Sequence, residues 1–226
     1  INQFVQKDMR AYSQIFLEGQ VAFEKKLKSD LQRMEDVAKL VDKNAQRADN
    51  IVRNMLVQSR TGKSDITKVD LGELILESIN FVRESTKAKY PFQLEIRPEL
   101  TPIGMVNVYA DDLTRALINV FDNSLYALYK KLRDQKYKPI LIIRTFLETD
   151  HIVIEIEDNG PGISDKILKE VLSPFFTTKP AGEGTGLGLS MAFDVLKMHE
   201  GHIDIHSSTE DNSFTIFSLK ISKNLS

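Results

Sequence analysis

Asp158-Asn159-Gly160-Pro161-Gly162 and Gly184-Thr185-Gly186-Leu187-Gly188-Leu189-Ser190 are the two stretches on which the fold of this chain turns. Each is a glycine-rich turn. The first follows a run, His151 to Glu157, in which isoleucine and valine alternate with His and Glu. Its carboxylate therefore sits at the end of a strand. The second runs directly into a helix-like stretch from about Leu187 to His199. That layout suits a nucleotide. A carboxylate at a strand end accepts from the exocyclic amino group of a base, and backbone N–H groups at a helix start hold phosphates. Gly160 and Gly162 admit close approach beside the carboxylate, and Gly184, Gly186 and Gly188 leave room for phosphates. The spacing is not that of G-x-x-x-x-G-K-[ST], which disfavours a P-loop fold.

Between the turns lies Ser173-Pro174-Phe175-Phe176-Thr177-Thr178-Lys179. The adjacent phenylalanines can anchor one end of a loop in a core, and Lys179, Thr177 and Thr178 can reach phosphate oxygens. Pro180-Ala181-Gly182-Glu183 follows with the composition of a lid that orders around a ligand. Upstream, Asn119-Val120-Phe121-Asp122-Asn123 lies in a long helical stretch from Asp111 to about Arg133. Asn119 and Asn123 are four apart, so both amides leave one face. An amide oxygen is a hard ligand suited to Mg²⁺ that bridges substrate phosphates. Taken alone the pair reads as solvated amides; its place ahead of both glycine turns favours binding.

The 226 residues hold 30 basic and 32 acidic side chains, so charge gives no case for nucleic acid or an anionic membrane. No apolar run approaches the roughly 18 residues of a membrane helix. Cysteine is absent, which excludes disulfides, thiolate metal sites and cysteine nucleophiles and fits a reducing compartment. His151, His199, His202 and His206 are not spaced as metal ligands. His199 beside Gly201 reads as a helix-end cap, and His202 and His206 as surface residues on one strand face.

Leu27, Leu31, Met34, Ala38, Val41, Ala45, Ala48, Val52 and Met55 recur at alternating gaps of four and three. That is the heptad seam of a long helix. Val5, Met9, Tyr12 and Phe16 form a shorter seam before Gly19. Together they read as a two-helix hairpin over residues 1–64. A hairpin cannot bury its stripe alone, so it is expected to pair with a second copy as a dimeric four-helix bundle. Gly62-Lys63-Ser64-Asp65 marks a break. Over residues 65–226, Asp70 is expected to cap a helix from Leu71 to about Arg83. Strands are expected at Phe92–Ile96, Pro139–Phe146, His151–Glu157, Ile203–His206 and Phe214–Leu219, and Gly201 as the left-handed cap after the last helix. Helices on one face of a mixed or antiparallel sheet make a two-layer α/β sandwich, so the fold class is α+β.

These residues resemble sensor histidine kinases and the ATP-binding domain that they share with DNA gyrase, heat-shock chaperones and MutL. The likeness covers about residues 65–222. Asn119 to Asn123 looks like the N box, Asp158 to Gly162 matches the D-x-G-x-G box, Phe175 to Lys179 the F box, and Gly184 to Ser190 the second glycine box. The resemblance implies a Bergerat fold that binds ATP with Mg²⁺ under a lid of roughly residues 164–186. In it Asp158 holds the adenine amino group, Asn123 ligates Mg²⁺, and Asn119 supports the ion or the phosphates. Asn119, Asn123 and Lys179 serve the reaction. Gly160, Gly162, Phe176, Thr177, Thr178, Gly184, Thr185, Gly186, Leu187 and Gly188 line the nucleotide. The resemblance further implies a cytoplasmic homodimer that passes the γ-phosphoryl group to a histidine on its hairpin and then to a response-regulator receiver domain. No nucleic-acid or membrane contact is implied within this stretch.

One residue separates the branches of that family. The ATP-hydrolysing relatives place a glutamate where Asn119 stands, and an amide cannot take a proton from water. Phosphoryl transfer is therefore expected over hydrolysis. Residues 1–64 contain no histidine; the resemblance places the acceptor upstream of Ile1. Tyr126 stands where some members carry a phosphate-contacting lysine, Asn212 where a glycine is common, and Lys220 where a proline is frequent. The main alternative is a dimeric ATP-binding signalling scaffold that carries no acceptor. A gyrase- or chaperone-like ATPase clamp is disfavoured by Asn119, and a serine kinase of the anti-sigma type by the long hairpin.

Overall fold

The computed structural model describes residues 17, 19–42, 44, 45, 65–87, 89–180 and 183–225. The seam from Val5 to Phe16, the distal seam residues Ala48, Val52 and Met55, and the break at residues 62–64 lie outside them. The chain divides into two units, one carrying the N-terminal helix and one the α/β domain.

Helix α1 covers residues 19–42. It consists mostly of strong helix formers. Lys39 Nζ meets Glu35 Oε1 at 2.6 Å and Gln32 donates to Asp36 at 3.1 Å, each pair one turn apart. Gly19, read from the sequence as the limit of the shorter seam, is itself helical. One glycine costs a helix about 1 kcal/mol, which good helix formers around it offset. Leu27, Leu31, Met34 and Val41 of the heptad seam are all exposed. Among the described residues no helix is long and apolar enough to cross a membrane.

The second unit runs β1 (Thr67–Asp70), α2 (Leu71–Thr86), β2 (Glu95–Leu100), β3 (Met105–Val108), α3 (Ala110–Asp134), β4 (Ile140–Leu147), β5 (His151–Asp158), α4 (Asp165–Leu168), α5 (Gly188–Met198), β6 (His202–Ser208) and β7 (Phe214–Ser222). Five strands form one sheet in the order β2-β4-β5-β7-β6. β2 and β4 are parallel; the other neighbours are antiparallel. α3 packs against both α2 and α5, and α3 and α5 also meet the sheet. This is the two-layer α+β arrangement.

Helix α2 starts where the sequence indicates, because Asp70 Oδ1 accepts the Glu73 N–H at 3.1 Å. Helix α3 buries Leu113, Ala116, Leu117, Val120, Phe121, Ser124, Leu125 and Leu128, a stripe at helical spacing. On β5 the even-numbered Ile152, Ile154 and Ile156 are fully buried, and so are Leu141 and Ile143 on β4 and Leu219 and Ile221 on β7. Each such side chain stabilises the fold by about 1.5–3 kcal/mol. The opposite face carries charge: Arg144 reaches Glu99 at 2.9 Å and Glu157 at 2.6 Å across three strands.

The structure corrects three details. β1 and β3 pair as a small antiparallel ribbon that four-residue segments gave no period to reveal. β2 begins at Glu95 rather than Phe92 and includes Pro98, which an edge strand tolerates. Phe92 instead packs on the Tyr129 ring, 6.1 Å between centroids. Finally, the left-handed residue after α5 is Glu200, with φ 53°, not Gly201. Gly201 is needed for closeness, since any side chain there would overlap the Lys220 carbonyl. His199 caps α5 from inside: its Nδ1 donates to the Val195 carbonyl at 2.8 Å, and its Nε2 accepts the Tyr109 N–H at 3.1 Å. It thereby ties the end of α5 to the start of α3.

Candidate active site

Asp158 closes β5 on the same parity as Ile152, Ile154 and Ile156, so its side chain points beneath the helices and is 1% exposed. Its Oδ1 accepts the Gly160 N–H at 3.0 Å, while Oδ2 is buried without a partner. Burial pushes its pKa from the usual 3.8 up to about 7, against the Gly160 N–H, the Ser124 hydroxyl and the Lys131 ammonium. The Ser124 hydroxyl lies close by but outside good hydrogen-bond geometry. A buried carboxyl oxygen left without a donor costs about 1–3 kcal/mol. It is an acceptor position held open by the fold, and it fits an amino group on a planar base.

The loop after Asp158 is tied on every side. Asn159 accepts the Ile140 N–H at 2.8 Å, donates its amide to the Lys138 carbonyl at 2.9 Å, and gives its own N–H to Ile140 at 3.3 Å. Lys131 Nζ, from the last turn of α3, donates to the Asn159 carbonyl at 2.8 Å, the Gly160 carbonyl at 3.0 Å and Ser213 Oγ at 3.0 Å. Ser213 in turn donates to the Gly160 carbonyl at 2.8 Å. Gly162 has φ 74°, and a side chain there would overlap the Ser208 carbonyl. Sequence reading missed Lys131 and Ser213. A lysine near a helix end reads as a partner of the helix dipole, and a hairpin serine carries no signal at all.

Helix α3 carries the second half of the site on a neighbouring edge. Asn119, Asp122, Asn123 and Tyr126 are all half-buried there. Asn119 faces the start of α5, its Oδ1 3.2 Å from where a Gly188 side chain would begin. Among the described residues, no protein group hydrogen-bonds the Asn119 or Asn123 side chain. Lys179 reaches in from the loop: its Nζ lies 3.1 Å from Asp122 Oδ2 and 4.6 Å from the centre of the Tyr126 ring. Lys179 thus places a cation beside Tyr126 while pairing with Asp122, 57 residues away in the chain. Sequence reading identified Lys179 but not its partner Asp122.

The loop itself interlocks with the second glycine turn. Thr177 Oγ1 accepts the Lys179 N–H at 3.1 Å and lies 2.8 Å from where a Gly184 side chain would begin. Gly186, with φ 72°, backs onto the Phe175 carbonyl. The phenylalanine pair does not anchor as the sequence suggested. Phe176 is half-buried, whereas Phe175 is 54% exposed with φ 67°, because its backbone turns to meet Gly186. Thr178 is exposed. Thr185 Oγ1 accepts the Leu187 N–H at 3.4 Å, and Leu187 leads α5 with no side-chain cap. The first N–H groups of an uncapped helix point outward with the positive end of its dipole, which suits an anion. Helix α3 thus joins two groups. Ser124, Ala127 and Lys131 meet the Asp158 loop, Asp122 and Tyr126 meet Lys179, and Asn119 meets Gly188.

Residues 109–223 match the family described as histidine kinase-, DNA gyrase B- and HSP90-like ATPase. Among curated proteins the chain is similar to the sensor histidine kinase ZraS of Salmonella typhi, 27% identical over 172 residues covering 76% of this chain and 35% of that protein. It is also similar to the sensor kinase CckA of Brucella abortus, 31% identical over 187 residues covering 78% of this chain and 19% of that one. The chain thus spans about a third or less of the length of these relatives. Among solved structures, the catalytic domain of histidine kinase ThkA aligns with a TM-score of 0.56 and 25% identity, over 70% of this chain and 96% of that one. The mycobacterial sensor histidine kinase MprB shares the fold, with a TM-score of 0.57 over 71% of this chain and 99% of that one. A buried strand-end carboxyl, a pair of helix amides and an uncapped helix behind two glycine turns all fall inside the matched residues, and the chain belongs to the histidine kinase-, DNA gyrase B- and HSP90-like ATPase family.

Proposed function

We propose that the α/β domain binds Mg-ATP and is the kinase core of a two-component sensor, passing the γ-phosphoryl group to a histidine and from there to a response-regulator receiver domain. The observation that carries the reading is Asp158: a fully buried carboxyl whose Oδ2 has no donor, at the mouth of a glycine loop on a strand end. An adenine amino group supplies the missing donor. Gly160 and Gly162 lie beside the base. The first N–H groups of α5 and the Gly184–Gly188 turn hold the phosphates, with Phe176, Thr177, Thr178, Thr185 and Leu187 around them. Asn123 offers the ion a hard oxygen donor, and Asn119 supports the phosphates beside it. Mg²⁺, when bound, neutralises charge that builds on the phosphoryl oxygens during transfer. Lys179 holds positive charge on the same side.

Asn119 argues for transfer. A water attacking phosphorus needs a base, and an amide has no proton affinity to offer. An imidazole nitrogen brings its own lone pair: the N–P bond forms as the bond from phosphorus to the β-phosphate bridging oxygen breaks, and ADP departs. Catalysis then rests on positioning and electrostatics. The reading also includes a homodimer through α1, whose Leu27, Leu31, Met34 and Val41 lie exposed along one seam. It places the domain in the cytoplasm, where ATP and receiver domains are found.

The second reading is a dimeric ATP-binding scaffold, favoured by the absence of histidine from residues 1–64. Incubating the full-length protein with γ-labelled ATP separates the two. Acid-labile, base-stable label on the protein is the outcome expected of the kinase. ATP binding without label leaves the scaffold, and steady phosphate release without a phosphoprotein means an ATPase.

A further inference from the structure

We propose that Lys131 is the positioning residue of the Asp158 loop: by binding the Asn159 and Gly160 carbonyls it holds Asp158 Oδ2 toward the base, and it sets a positive charge within reach of that carboxyl. The inference rests on the reading of Asp158 as the adenine acceptor.

An ammonium has three donors, and Lys131 aims all three at this loop and its support: 2.8 Å to the Asn159 carbonyl, 3.0 Å to the Gly160 carbonyl and 3.0 Å to Ser213 Oγ. The Gly160 carbonyl receives a second donor from Ser213, so α3 and the β6–β7 connection grip one peptide. The Asn159 carbonyl that Lys131 also binds belongs to the preceding peptide, and the N–H of that peptide, on Gly160, is the one that binds Asp158 Oδ1. The orientation of the carboxyl is thus a direct consequence of where Lys131 holds the loop. The ammonium also lies over the Tyr137 ring, 4.8 Å from its centre.

Its three acceptors are neutral, so its charge is not cancelled by a contacting carboxylate. Burial lowers the Lys131 pKa, and Asp158 is the group that pulls it back up. Asp158 responds in kind. Burial raises it and Lys131 lowers it, while Glu157 on its own strand raises it slightly; the Tyr137 phenol, on the connection after α3, is pushed up by burial and by Asp158. A lysine that only completed the end of α3 would bind the helix carbonyls and would leave Asp158 untouched.

The test is calorimetric titration of Mg-ATP into the 226-residue chain from about pH 6 to about pH 9, spanning the Asp158 transition. An ionised carboxyl is the better acceptor, so affinity falls as pH drops through about 7. Titration of the ATP terminal phosphate is common to every variant and drops out of the comparison. Lys131→Met should bind ATP about tenfold more weakly, and the pH at which affinity falls should move upward. Lys131→Arg should restore that pH. Ser213→Ala, which loosens the loop without changing charge, should weaken binding a few-fold with the midpoint in place. Unchanged affinity and midpoint in Lys131→Met overturn the proposal, and so does a loss of stability with no movement of the midpoint. Should Lys131→Met not fold, Lys131→Gln keeps donors for the carbonyls without the charge and is judged by the same midpoint. Asp158→Asn separates the two layers. Wild-type ATP affinity in that variant sinks the adenine reading itself, whereas loss there beside an unmoved profile in Lys131→Met sinks only the role of Lys131.

Discussion

Between Asp158 and Gly162, Lys131 gives two hydrogen bonds and a third to Ser213, which itself closes on the Gly160 carbonyl, and Asn159 joins three more. Between Ser173 and Leu187, the side-chain ties to α3 among the described residues are the Lys179–Asp122 ion pair and the Lys179 contact with Tyr126. There Phe175 stands exposed in a left-handed conformation. On the proposed function the contrast has a chemical reason. The base is the same before and after the reaction, so the end that reads it can be rigid. The terminal phosphoryl group leaves, so the end that covers it has to open.

The sharpest way to break that contrast is one substitution made twice. Gly162→Ala puts a methyl group into the Ser208 carbonyl on a pinned loop, at φ 74°. It should cost about 3 kcal/mol of stability in chemical denaturation. Gly186→Ala meets the Phe175 carbonyl at nearly the same φ, but on a segment with fewer side-chain ties to α3. It should cost about 1 kcal/mol while weakening ATP binding. Equal losses would mean the two loops are equally rigid.

Acid and base sharpen the contrast further. The Asp158 pKa is raised in the folded state, so between 3.8 and about 7 the folded protein holds a proton that the unfolded chain has released. That contribution is complete below 3.8 and is lost as pH rises through about 7, with a slope of at most about 1.4 kcal/mol per pH unit. Ligand-free protein should therefore lose stability across this window, and Asp158→Asn should flatten the slope. His199 runs the other way. Burial lowers its pKa below 6.5, so its contribution is full above 6.5 and fades as pH falls below it. Coincident pH profiles for wild type and Asp158→Asn would contradict the burial assigned to the carboxyl.

The smallest effect is expected in α1. Leu31→Lys should leave the stability of the α/β domain within about 0.5 kcal/mol, because Leu31 is exposed. In sedimentation the same change should shift the protein toward monomer; an unchanged mass would remove the bundle.

What was legible in the sequence follows the same division. β5 announces itself because Ile and Val alternate with polar residues on a sheet with one wet face, and β4 and β7 as short runs rich in β-formers. The sequence places Asp158 at the end of β5, and the structure adds that it shares the buried parity of Ile152, Ile154 and Ile156. Asn119 and Asn123 are legible as a pair because helical spacing is local. Lys179 with Asp122, and Lys131 with Gly160, are long-range pairs set by how α3 packs, and no local pattern encodes them. Phe175 misled for a related reason. Its hydrophobicity predicts burial, but its backbone lies close against Gly186 in a left-handed conformation and its ring is exposed.

The central claim is that Asp158 reads adenine, and calorimetry of ATP and GTP binding to wild type and Asp158→Asn tests it most directly. An amide in that place can accept from Gly160 or from the base, but not from both without pointing its own donors at one of them. The account predicts that wild type prefers ATP by about a hundredfold or more, and that Asp158→Asn keeps its fold, binds ATP at least about tenfold more weakly and narrows the preference. An Asp158→Asn protein with wild-type ATP affinity and an unchanged preference over GTP would contradict it.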